Sequence, residues 1–105
     1  MTAALNTYAV VWPRSAKSIE VKPLAKRLPT LEGKTIAFLW DYLFRGDEIW
    51  PTLSGELGRR YPGTNFIGFE TFGSTHGDDE HQVLADLPGN LARLKVDAVV
   101  SGMGC

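Results

Sequence analysis

Residues 34–40 read KTIAFLW, a lysine and a threonine followed by five apolar residues in a row. A run of this length without alternation is the pattern of a strand buried on both faces, and such strands belong to parallel sheets covered by helices on either side. Gly33 marks the turn before the run. After it, Gly46-Asp47-Glu48 places two acids where the positive end of a helix dipole favours them. Ile49, Leu53, Leu57 and Tyr61 then recur every fourth residue, with Trp50 beside them, which predicts one apolar helix face. Pro51 stands close enough to the helix start to be tolerated, and Pro62-Gly63 stops the helix.

The same alternation continues downstream. Asn65–Thr71 (NFIGFET) is expected to be a second strand. Gly73 to Asp79 is a polar loop with a helix cap at Asp78 or Asp79. Leu84, Leu87, Leu91 and Leu94 mark a second helix face, with a kink or break expected at Pro88-Gly89. Val96–Ser101 (VDAVVS) is expected to be the third strand. Strand, helix, strand, helix, strand is the signature of right-handed crossovers in a parallel sheet. The fold class is therefore α/β, a three-stranded parallel βαβαβ sheet like half of a flavodoxin-like domain. The order 2-1-3 is expected, because the first strand is the most apolar and belongs in the centre; the two helices then lie on opposite faces. A parallel sheet needs both faces covered. The absence of a helix after the third strand makes this look like an incomplete doubly wound domain.

Residues 31–105 form that half-domain, and residues 1–30 form an irregular N-terminal arm. Tyr8–Trp12 is β-prone and could make a short strand, but Pro13, Pro23 and Pro29 interrupt regular structure. Arg14, Lys17, Lys22, Lys26 and Arg27 make the arm basic, either as an anion-binding arm or as a solvated arm that wraps a partner or its own domain. Composition sets outer limits. The chain has 105 residues, 44% hydrophobic and 22% charged, with 11 basic and 12 acidic side chains and a net charge of −1. That is a globular single domain with no field to attract nucleic acid. No apolar run approaches the ~20 residues of a membrane span, and no signal peptide is legible. One cysteine excludes an internal disulfide framework and a cysteine-based zinc site. A cytoplasmic address is expected.

In open parallel sheets, ligands bind at the carboxyl ends of the strands, near the switch point. Three loops should meet there: Asp41 to Gly46, Thr71 to Asp79, and Ser101 to Cys105. Cys105 is the candidate nucleophile, because a thiol in a Gly-rich turn after a strand is activated when a helix amino end faces it. With no helix after it, and a terminal carboxylate opposing ionisation, Cys105 also reads as an unremarkable terminal residue. His76 is a candidate general acid or base, or a loop histidine with a local hydrogen bond. Asp41 ends the buried strand and would either bind substrate or cap the next turn. Arg45 would grip an anion in a bidentate fork, or be solvated. Thr75, Ser101, Gly102 and Gly104 complete the candidate substrate-binding set. Trp40, Tyr42, Phe44 and Trp50 concentrate aromatic surface around the first loop, as a pocket wall, a core or a subunit interface. Gly102 and Gly104 do not make a dinucleotide fingerprint, so no cofactor is expected. His76, His81, Asp78 and Asp79 match no metal-ligand spacing, so no metal is expected either.

Leu31-Glu32-Gly33-Lys34-Thr35-Ile36, the acid-headed helix and Val96-Asp97-Ala98-Val99-Val100-Ser101-Gly102-Met103-Gly104-Cys105 together resemble the amino-terminal half of the UGSC family of (seleno)proteins, over about residues 23–105. That family is named for a Sec/Cys-Gly-Ser-Cys motif in the turn after a strand like the one ending here. The resemblance implies a selenol or thiol that cycles with a second thiol through a selenenylsulfide or disulfide. On this view Asp41, Ser101 and Cys105, with His76, floor the site. The sequence stops where the motif would begin, which suggests a reading frame ending at a UGA codon that can encode selenocysteine. The leading expectation is thus part of a thiol- or selenol-dependent redox-type α/β protein, with a small molecule as one candidate substrate. Two alternatives stand beside it: a non-catalytic small subunit whose sheet a second chain completes, and a homodimer that binds a small anion at the switch point.

Overall fold

The computed structural model describes residues 6–16 and 19–102. Strand β1 spans Thr35–Trp40, helix α1 Gly46–Arg60, strand β2 Asn65–Ile67, helix α2 Glu80–Arg93 and strand β3 Ala98–Gly102. The three strands form one parallel sheet in the order β2-β1-β3. This is the expected α/β half-sheet with its most apolar strand in the centre. In β1, Ile36 to Trp40 are all buried, as a strand covered on both sides requires.

Strand alternation splits this core in two. Ile36, Phe38 and Trp40 face α1, where Trp50 is buried among them and Leu53 is partly buried. Ala37 and Leu39 face the other way, against Phe72 and the partly buried Leu87, Leu91 and Leu94 of α2. The helices therefore cover opposite faces of the sheet. The lower ends of β1 and β3 are tied by backbone and side chain together: Asp97 N–H donates to Thr35 O at 2.9 Å, and Thr35 N–H donates to Asp97 Oδ2 at 2.9 Å.

Several expectations are corrected. The second strand ends at Ile67, because Gly68 turns the chain into a short 3-10 turn at Phe69–Thr71. The third strand starts at Ala98 and runs through Gly102. Of the kink or break expected at Pro88-Gly89, the break does not occur: helix α2 continues through both residues, with its leucines resting on the apolar face of the sheet. On α1, Leu53, Leu57 and Tyr61 are partly buried as expected and Trp50 beside them is buried, but Ile49 is 52% exposed. Residues 8–12 form no strand; no strand pairs with them to supply the hydrogen-bond ladder that β structure needs.

Candidate functional site

The carboxyl ends of β1 and β3 meet at a small cleft of about 160 Å³, lined by Trp40, Asp41, Phe44, Gly46, Trp50 and Gly102 among others. Gly46 opens α1 with no room for a side chain: a Cβ there would collide with the Trp40 indole. Gly102 is equally tight, since a Cβ would come within 2.7 Å of Trp50 Cζ2 and 3.4 Å of Trp40 Cδ1. Two glycines and two tryptophans thus interlock where β1, β3 and α1 converge. The Trp50 indole N–H is buried and has no acceptor among the described residues.

The loop after β1 is held by both peptide groups of Leu43. Its N–H donates to Asp41 Oδ1 at 3.0 Å, and its carbonyl accepts the Trp40 Nε1–H at 2.9 Å. Tyr42 and Phe44 on either side adopt left-handed backbone, with φ of 64° and 62°. Side-chain-bearing residues rarely take that conformation unless their surroundings impose it. For Tyr42 the imposing contacts are visible: its ring stacks on Trp40 with centroids 4.6 Å apart, and Phe69 meets both rings edge-on. Asp41 itself is only 4% exposed. Its carboxyl caps the turn at Leu43, and Asp41 is among the residues that line the cleft.

The second loop reaches the same end of the sheet through its backbone. Thr75 N–H donates to Trp40 O at 3.1 Å, and Ser74 pairs with Trp40 as an isolated parallel bridge. Ser74 Oγ donates to His76 O at 2.6 Å, which ties the turn locally. The His76 side chain points outward instead, 60% exposed and 3.7 Å from Glu80. Arg45 is also in solvent, 80% exposed, with Glu48 at 3.4 Å.

The sequence-predicted residues therefore divide. Asp41 and Gly102 line the cleft, and Thr75 is fixed beside Trp40. Ser101 is exposed and, by strand alternation, lies on the opposite face from Gly102. His76 and Arg45 sit outside the cleft. Gly104 and Cys105 lie outside the described residues. Trp50, one of the aromatic residues considered as a pocket wall, does line the cleft. Gly46 was not singled out, although one signal was legible: a glycine, not a strong helix former, at the head of an apolar helix beside an aromatic cluster. Among the described residues, no group of three His, Cys, Asp or Glu is placed to hold a metal ion. No helix is long and apolar enough to cross a membrane.

The model of the UGSC family matches residues 9–105 of this chain. The chain belongs to the UGSC family. The match begins well before the Pro23 from which the resemblance was first legible, so it takes in most of the arm. No curated protein and no solved structure matches the chain.

Proposed function

We propose that this UGSC-family chain supplies the strand-end platform of a thiol- or selenol-dependent redox site, with Cys105 as the nucleophile in the chain as it stands. The observation that carries this reading is the interlock of Gly46, Gly102, Trp40 and Trp50 around a cleft at the switch point. It holds rigid the end of the strand from which, three residues on, the sequence reaches Cys105. Ligands of open α/β sheets bind at this edge. At about 160 Å³, the cleft is smaller than the ~300–1,000 Å³ of pockets for drug-sized ligands. It suits a few atoms, such as the sulfurs of a disulfide.

The step is thiol–disulfide exchange. The Cys105 thiolate attacks one sulfur of a disulfide substrate, the substrate S–S bond breaks, and a mixed disulfide forms at Cys105. The departing thiolate takes a proton from water. A second thiol, from a small-molecule thiol or from another chain, then attacks the mixed disulfide and releases Cys105. Asp41 is a positioning residue in this scheme: it holds Leu43 and, through it, the loop that walls the cleft.

Incubating the full chain with glutathione disulfide tests this. The proposal expects one reversible glutathione adduct at Cys105, formed faster in the folded chain than in the same chain in urea, and none in Cys105→Ser. A Cys105 that stays free while folded and takes the adduct only in urea overturns it. The reading as a small subunit completed by a second chain draws support from β3, whose outer edge has no strand partner among the described residues and whose Val99 is 39% exposed.

A further inference from the structure

Charge and apolar surface are unevenly shared along this chain. Residues 1–30 hold five basic and one acidic side chain, net +4; residues 31–105 hold six basic and eleven acidic, net −5. The positive part is also apolar and uncovered. Tyr8, Val10, Val11, Trp12, Ile19 and Val21 are each between 78% and 89% exposed, an unusual amount of large apolar surface to leave in water. The radius of gyration is 21.9 Å, against roughly 13 Å for a compact domain of this length, so the described part of the arm ahead of Ala25 stands away from the sheet.

The acidic body offers a matching surface. On the α1 side of the sheet a groove of about 440 Å³ opens between α1 and the β2 edge, with Phe38, Trp50, Phe66 and Phe69 lining it and Asp47 and Glu70 exposed at its rim. None of the ion pairs among the described residues includes Asp47 or Glu70. Aromatic lining with unpaired carboxylates at the rim suits a segment that is both apolar and cationic. The sequence Tyr8 to Arg14 (YAVVWPR) is such a segment, and it lies almost wholly within the family match.

The arm's own root is badly placed for that groove. Ala25 to Leu28 line a hollow with Asp97, Ala98 and Val99 at the β3 side. The groove lies toward β2, with α1 packed over β1 and β3 between them. A second copy meets the groove without that detour, and reciprocal exchange of two arms closes a two-fold dimer. We propose that residues 8–14 of one copy dock in the α1–β2 groove of a second copy, with Trp12 on the aromatic lining and Arg14 against Glu70.

Charge-swap complementation in the full-length chain tests this. Sedimentation should show the wild-type chain as a dimer at micromolar concentration. Arg14→Glu alone and Glu70→Arg alone should each weaken the dimer on the order of tenfold or more, because each sets like charges together. Both positions are exposed, and circular dichroism confirms that each variant keeps its helices. Mixing the two variants should restore a heterodimer, since each arm then meets a groove of opposite charge. A wild-type monomer overturns the proposal, with arm docking onto its own body as one form of that result. So does a dimer indifferent to Arg14→Glu, or a pair of variants that stay monomeric when mixed. A variant that loses its helices leaves the wild-type oligomer and the other variant to decide.

Discussion

Gly46→Ala should destabilise the protein, although alanine is the better helix former. An alanine gains up to about 1 kcal/mol over glycine in a helix interior, and less in the first turn. Here the new methyl would fall on the Trp40 indole. That ring cannot step aside cheaply: it is 8% exposed, stacked against Tyr42, met edge-on by Phe69 and hydrogen-bonded through Nε1 to Leu43 O. Forcing a methyl into such a contact costs typically about 1–3 kcal/mol, so the net loss should be about 1–2 kcal/mol. With a urea m value of about 1–2 kcal/mol/M for a domain of this size, the midpoint should fall by about 1 M, and the melting temperature by roughly 5–15 °C. Gly55→Ala is the internal control. It lies in the same helix with nothing within 4 Å of the added Cβ, and should gain about 0.5–1 kcal/mol. Both are read by far-UV circular dichroism at one fixed protein concentration. If Gly46→Ala proves as stable as wild type or more so, the interlock at the cleft is wrong.

Asp41→Ala should cost about 1–2 kcal/mol in urea unfolding, because it leaves the Leu43 N–H without its acceptor. His76→Ala should change stability by less than about 0.5 kcal/mol and leave thiol exchange untouched, since its side chain lies in solvent beside Glu80; a large loss of exchange would return it to the site. Pro88→Ala should stabilise α2 by about 1–3 kcal/mol in the same assay, because it restores an N–H inside an unbroken helix.

The element order, the parallel pairing and the central place of β1 were legible because an unbroken apolar run has few structural uses. The faces of α1 were harder to read. Four-residue spacing placed Leu53, Leu57 and Tyr61 on the partly buried side, but at the helix start Trp50, whose ring stacks on Phe38 at 4.9 Å, is buried and Ile49 is not. Pro88-Gly89 read as a kink or a break because the local cost of proline is legible in a sequence, whereas the packing of Leu87, Leu91 and Leu94 on Ala37 and Leu39, which accompanies the unbroken helix, is not. The site was legible as a place but not as a set of residues. Strand ends and glycines located the cleft. The outward turn of His76, however, depends on the Ser74 hydroxyl closing a local turn, and that contact has no pattern in the chain. Asp41 came through because a carboxyl at the end of a buried strand must find donors.

The proposed function rests on a reactive thiol at Cys105. The thiolate is the nucleophile, so activation of this thiol can be read as a rate. Alkylation of Cys105, the chain's single cysteine, by iodoacetamide at neutral pH should be followed in the folded chain and in urea. A nucleophilic Cys105 predicts faster alkylation in the folded chain. A folded rate equal to or below the rate in urea would contradict the assignment of Cys105 as a nucleophile.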